Sequence, residues 1–244
     1  MALRNSLVAT FVGVAAMSLA AEDPKRFEFE LEAGLAAPRY NYAQVPKATG
    51  TRLDLASVTG KESRSYARMA LLYHDSKGGT WKLLYAPYRR SGVGALAAGT
   101  SFDGVVFGAG NAEAVYQFNS YRLTYRKGWK GNWSIGGTLK IRDAEIRLTQ
   151  GGTRASEKNV GFVPLLNIHG TGKLVNDFVY EVELDGLAGG PGRAFDLSAR
   201  VKKPIGRNTE VFAGYRLLEG GADVPKVKNF AWINYFSFGV SVRF

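Results

Sequence analysis

Few residues of this chain have the types that covalent chemistry needs. Its 244 residues include two histidines, His74 and His169, and no cysteine. His74-Asp75-Ser76 sets an imidazole, a carboxylate and a hydroxyl in a row, the three groups of nucleophilic acyl transfer. The triplet runs into DSKGG, however, whose residues are those of a polar turn, and a turn is the reading adopted. Glu219 and Asp223, in LLEGGADV, form an acidic pair without a histidine partner and read as a solvated loop. The Gly-Gly pairs at 151–152, 189–190 and 220–221 lack the strand-to-helix context of a phosphate cradle and mark turns. Two histidines without cysteine leave no metal-ligand spacing. The expectation is therefore no catalytic residue, no metal and no cofactor.

A larger set of charges recurs at every second position. Glu28, Glu30 and Glu32 alternate in FEFELEAGL, and Glu181, Glu183 and Asp185 alternate after Asp177 in FVYEVELD. Arg68, Lys82, Arg122, Arg126, Lys140 and Arg142 make the next segments basic. Asp196, Arg200 and Lys202, then Glu210, Arg216 and Arg243, mix the signs further along. Such spacing puts the charges on one face of extended strands and leaves Phe27, Phe29, Leu31 and Leu35 on the other. Acidic strands beside basic ones could share a confined interior, because paired charges tolerate burial far better than isolated ones.

The elements that must position these charges are strands. Ten alternating segments are expected: 27–35, 64–75, 79–88, 113–127, 131–149, 160–173, 174–188, 192–203, 208–219 and 229–244. Short turns should join them at one end, and longer loops at 38–63, 89–112, 150–159 and 220–228 at the other. LAGGP at 187–191 is a further short connection. The fold class is all-β, a transmembrane antiparallel up-and-down barrel of about ten strands, with eight or twelve as alternatives. Segments of this length exceed the usual ~5–6 residues of soluble strands and suit a tilted bilayer crossing. The opposite face carries large apolar groups, such as Tyr121, Leu123, Ile135, Leu139, Phe195 and Leu197, which would overfill a narrow interior and so belong in lipid. Two positions interrupt the pattern: Pro164 should lose a ladder bond, and Asp143 breaks the lipid face. A bulge at Asp143-Ala144 would return Ile146 and Leu148 to that face.

Composition agrees. Thirty glycines without a G-X-Y period, 12% aromatics and 8 prolines favour β-structure. Residues 1–20 read as an export signal, with Arg4, an apolar stretch over Leu7–Ala16 and a Ser18-Leu19-Ala20 cleavage site, leaving 21–244 as the barrel. The net charge of +11 is spread over strands and turns with no basic stripe, so nucleic acid is not an expected partner.

The terminal VSVRF, ending an alternating aromatic strand in Phe244, resembles the insertion signature of bacterial outer-membrane β-barrels. Blocks such as FNSYRLTYR, GRAFDL and GYRLLEGGAD are similar to those of small uncharacterised members. The resemblance implies a Gram-negative outer membrane, a periplasmic amino terminus, and insertion by the barrel-assembly machinery with Phe244 as the assembly signal. Outer-membrane lipid and lipopolysaccharide are the implied partners, with small solutes as candidates; Arg39, Lys47, Arg52, Arg89, Arg90, Arg154 and Lys158 are the loop bases that could meet phosphates. His74-Asp75-Ser76 also resembles the His-x-Ser element of outer-membrane lipid A deacylases, but in a short periplasmic turn, away from the acyl ester. The expected role is non-enzymatic: a structural or surface-interacting barrel, or a narrow channel with a charge-lined lumen. A lipid A-modifying hydrolase and a soluble periplasmic lipocalin-like binder are the alternatives. The expected lumen network comprises Glu28, Glu30, Glu32, Arg68, Arg122, Arg126, Lys140, Arg142, Glu181, Glu183, Asp185, Asp196, Arg200 and Arg216.

Overall fold

Alternation with few interruptions produces long strands, and their two-sided polarity closes them into a ring. The computed structural model describes residues 26–244; the export signal read at 1–20 lies outside the described residues. Ten strands form the wall: β1 (Phe27–Gln44), β2 (Arg64–His74), β3 (Gly79–Ala86, continuing as Arg89–Leu96), β4 (Gly110–Lys130) and β5 (Trp133–Gln150). They are followed by β6 (Thr153–Lys173), β7 (Val179–Gly189), β8 (Gly192–Pro204), β9 (Thr209–Val224) and β10 (Val227–Arg243). Each pairs antiparallel with its neighbour, and β10 returns to β1 from Glu28↔Arg243 to Gln44↔Lys228, closing the barrel. Closure pairs the two end strands, whose edges an open meander would leave bare.

The outer face is apolar. Leu31, Leu35, Met69, Leu83, Leu123, Leu139, Leu197 and Phe238 are exposed around the ring, while Glu28, Arg68, Arg122 and Asp196 on the alternate positions are buried. A soluble barrel would have the opposite sidedness, so the lipocalin-like alternative is excluded and the wall is built for lipid. No helix among the described residues is long and apolar enough to cross a membrane; the strands cross it.

The strands reach further than alternation indicates. Segments expected as loops at 38–44, 89–96, 153–159 and 220–224 continue the wall, and three connections at that end are tight turns at 151–152, 190–191 and 225–226. The two long loops, 45–63 and 97–109, fold inward instead of standing free. The first carries the short helix α1 (Leu55–Thr59), whose Asp54 side chain accepts from the amide of Ala56 at 3.1 Å. The second carries a small hairpin pairing Thr100–Phe102 with Val105–Phe107. Leu55, Val58, Phe102 and Phe107 are buried against Tyr116, Leu148, Ile233 and Tyr235 on the inner wall. Gly92 and Gly94 on β3 leave room for α1: a Cβ at either would come within 2.8 Å of Thr59 or Val58 backbone atoms.

This plug corrects two expectations. The interior is charge-lined only in the half nearer the rim where Phe27 and Phe244 meet (the terminal rim); towards the loop rim it is an apolar core. β5 runs through Asp143 and Ala144 without a register shift, so Ile146 and Leu148 face that core and not lipid. Asp143 points outward and accepts from Gln117 at 3.2 Å and Asn119 at 3.1 Å. The register shifts of the wall fall between Pro38 and Tyr40 and between Gly128 and Lys130 instead.

Candidate functional site

The charged half of the lumen is organised in two layers. Nearest the terminal rim, Arg200 joins Glu30 and Glu181, each at 2.5 Å, and Lys82 and Arg126 share Glu183 at 2.6 and 2.8 Å. Arg68 meets Glu32 at 2.7 Å. Lys202 meets Glu210 at 3.0 Å, and Arg243 meets Glu28 at 2.9 Å. Six carboxylates thus face six cations. Above them Arg122 donates to Asp185 at 2.8 Å and to Asp196 at 2.5 Å, and Arg216 grips Asp196 through two bonds of 2.6 Å. Thr138 and Asn167 donate the remaining bonds to Asp185, at 2.7 and 2.8 Å. This layer is also balanced, two carboxylates to two arginines.

Lys140 and Arg142 face the same interior and are not balanced. Neither forms an ion pair among the described residues. The Lys140 ammonium lies 4.6 Å from the centre of the Phe118 ring, and Lys140 is 4% exposed. The Arg142 guanidinium donates to Asn159, and its buried Nε has no partner. A compensated interior was expected at both positions. Asp177, expected on a strand, lies in the 174–178 turn with a left-handed backbone, φ 65°.

Both unbalanced cations line a cavity of about 440 Å³. The cavity exists because the wall is incomplete there. β6 pairs with β5 from Thr153 to Gly170, but with β7 only from Leu166 to Lys173. β7 and β8 turn back early, at Gly190-Pro191, so residues 153–165 of β6 have no hydrogen-bonded partner on that side. Pro164 lies just above the point where pairing stops, where a missing amide hydrogen costs least. The lining comes from both faces of the wall: Phe162, Pro164 and Phe195 from the lipid side, Lys140, Arg142 and Leu165 from the interior. The cavity therefore passes through the wall. At the loop end of the opening, Lys226 reaches across from the β9–β10 turn to Glu157 on β6, 2.9 Å away.

The residues first considered for catalysis are committed elsewhere. The Asp75 carboxylate accepts from the amides of Gly79 and Lys77, each at 2.8 Å, and these bonds hold it below the usual carboxylate range. It closes the turn. His74 faces Thr80 at 3.2 Å and Glu28 at 3.4 Å, and His169 sits by Ser134 at 3.4 Å. Both histidines lie towards the terminal rim. Glu219 and Asp223 lie towards the loop rim, where Glu219 binds Arg193 at 2.8 Å and Tyr40 at 2.7 Å, and Asp223 binds Lys47 at 2.6 Å. Among the described residues no group of three or more His, Asp or Glu side chains is placed to hold a metal ion.

The loop bases are partly engaged as well. Arg90, expected at the surface, is buried and donates to the carbonyls of Gly60 and Glu62 at 2.8 and 2.6 Å, tying down the 45–63 loop. Arg39 lies over Trp232 and Arg52 over Tyr42. Phe244 stacks on Phe27 with ring centres 6.1 Å apart. Sequence reasoning missed the cavity itself; its one local signal was Pro164 inside a strand.

No family model and no curated protein matches the chain. It is similar to solved outer-membrane barrels. With the outer membrane protease OmpT from Escherichia coli it shares 9% identity over 93% of this chain and 99% of that one, at a TM-score of 0.56. The attachment invasion locus protein Ail of Yersinia pestis matches at 10% identity over 90% and 99%, TM-score 0.38. OprG from Pseudomonas aeruginosa matches at 12% over 89% and 96%, TM-score 0.35. At these identities the likeness is one of fold. The fold is that of the bacterial outer-membrane β-barrel, and the apolar belt seats it in a bilayer.

Proposed function

We propose that this outer-membrane barrel binds an amphiphilic molecule through the opening in its wall and does not conduct along its axis. The observation that carries this reading is the cavity of about 440 Å³ between the free edge of β6 and the early β7–β8 turn. Its size falls within the ~300–1,000 Å³ of small-molecule sites, and a mostly apolar lining with a few placed polar groups is their usual chemistry. An opening at membrane level admits molecules from the hydrocarbon region as well as from water.

Two features speak against an axial channel. Two voids among the lumen charges measure about 10 Å³ each, no more than the roughly 10–15 Å³ that a single water needs. The apolar plug of the 45–63 and 97–109 loops fills the other half. In this reading the lumen network of Glu28 to Arg216 is structural, and the loop rim faces the lipopolysaccharide leaflet. The barrel-assembly machinery inserts the chain through its Phe244 end.

Planar bilayers and lipid nanodiscs test the proposal together. The reconstituted barrel should give no resolved single-channel current, and in nanodiscs it should bind about one 12-carbon amphiphile per chain. Filling the cavity with Ala194→Trp should abolish that binding without unfolding the barrel. Steady conductance without amphiphile binding would overturn it.

A further inference from the structure

The interior charges pair off until two remain, and both remaining charges line the cavity. We infer that the ligand is an anionic amphiphile whose headgroup lies between Lys140 and Arg142, with its apolar tail directed past Phe162 and Phe195 towards lipid. This rests on the cavity being an amphiphile site and adds the sign and position of the headgroup.

The two residues are neighbours on the inner face of β5, about 7 Å apart along the strand. Arginine cannot shed its proton inside a protein, so Arg142 carries its charge whether or not the cavity is filled. A cation in a confined apolar site needs a counter-charge. The carboxylates of Asp185 and Asp196, in the cavity floor, are already held by Arg122 and Arg216. Glu219, in its wall, is held by Arg193, Glu157 by Lys226, and Glu145 by Arg147 at 3.5 Å. The protein thus supplies no free anion, while the buried Arg142 Nε stays without an acceptor.

Access to these donors is also built in. Gly161 pairs with Arg142 across the β5–β6 ladder, and a Cβ there would lie 3.3 Å from Asn159 Oδ1, the acceptor of the guanidinium, and 3.6 Å from the guanidinium itself. A longer side chain at this position would crowd the guanidinium. A single carboxylate or phosphate group fits this donor set, since guanidinium and ammonium both serve either acceptor. The apolar side of the cavity then selects for a hydrocarbon tail over a free inorganic ion.

Equilibrium binding at pH 8 to the barrel in phosphatidylcholine nanodiscs, with empty nanodiscs subtracted, tests the assignment. Laurate, dodecyl phosphate and dodecanol share one tail and differ in the head. At least one of the two anions should bind tenfold or more tightly than the alcohol, about 1.4 kcal/mol, and the tighter anion identifies the headgroup class. Lys140→Met and Arg142→Met should each reduce the preference to below threefold while the folded band persists on an unboiled gel. The wild-type comparison stands alone if either variant fails to fold. Equal binding of all three ligands overturns the charge assignment and leaves the amphiphile site standing. Binding of none overturns both.

Discussion

Lys226 on the β9–β10 turn and Glu157 on β6 meet at 2.9 Å across a stretch of wall that has no ladder hydrogen bonds. Lys226 is largely exposed and Glu157 is buried. Removing Lys226 leaves the Glu157 carboxylate buried without its counter-charge, which costs about 1–3 kcal/mol. Lys226→Ala should therefore lower the unfolding midpoint in urea. The same change should speed release of a bound amphiphile several-fold, read by chasing labelled ligand from nanodiscs. An unaltered release rate would show that the pair does not bound the opening.

Arg122 is the single bridge between Asp185 and Asp196. Arg122→Met leaves Asp185 without its only arginine and removes one of the two on Asp196. Breaking a buried pair from one side costs about 3–5 kcal/mol, because a carboxylate remains without its counter-charge. The urea midpoint for folding into lipid vesicles should fall accordingly. Adding Asp196→Asn to Arg122→Met should cost less than the two single changes summed, since both act on one network. Additive losses would mean that the two side chains are not coupled.

The charged layers were legible because a strand has a period of two. Glu28, Glu30 and Glu32 can share one face in no other regular structure, and the outward Leu31 and Leu35 follow at once. The apolar plug was not legible, because an inward Leu148 and an outward Leu139 look alike until register and loop placement are known. For the same reason Ile146 was assigned to lipid through a bulge that β5 does not have. The wall opening is less visible still. It arises from a length mismatch between β6 and the β7–β8 hairpin, a relation between strands that no single segment contains. Pro164 was noticed as an irregularity, but its meaning depended on the missing neighbour. Lys140 and Arg142 were assigned to the lumen from alternation; their lack of a counter-charge needed the pairings of every other lumen residue.

Pro164 and Leu139 face each other across the β5–β6 ladder, yet they should respond differently to exchange. Leu139 is paired on both sides, with Leu123 of β4 and with Pro164. Leu139→Pro removes an amide from a fully laddered strand in lipid, where each unsatisfied backbone group costs several kcal/mol. The folded band on an unboiled gel should disappear. Pro164→Ala restores an amide at the end of the free edge and should change the urea midpoint by less than about 1 kcal/mol. A large loss for Pro164→Ala would place β7 against this part of β6 and remove the opening.

Phe244 does two separable things if it is also the assembly signal. Structurally it seals the terminal rim: its ring stacks on Phe27, its amide donates to the Phe27 carbonyl at 2.9 Å, and its carbonyl accepts from the Phe27 amide at 3.1 Å. Phe244→Ala keeps both backbone bonds and loses only the ring contact, worth about 0.5–1.5 kcal/mol beyond the area it buries. Refolding into vesicles without cellular machinery should register that small loss and nothing more. In cells the yield of folded barrel should drop much further, several-fold, because recognition by the assembly machinery is lost as well. Phe244→Tyr, which keeps a terminal aromatic ring, should restore most of the cellular yield. Equal, small effects in vesicles and in cells would reduce Phe244 to a rim contact, since a ring that only packs has no way to act on yield beyond its own stability.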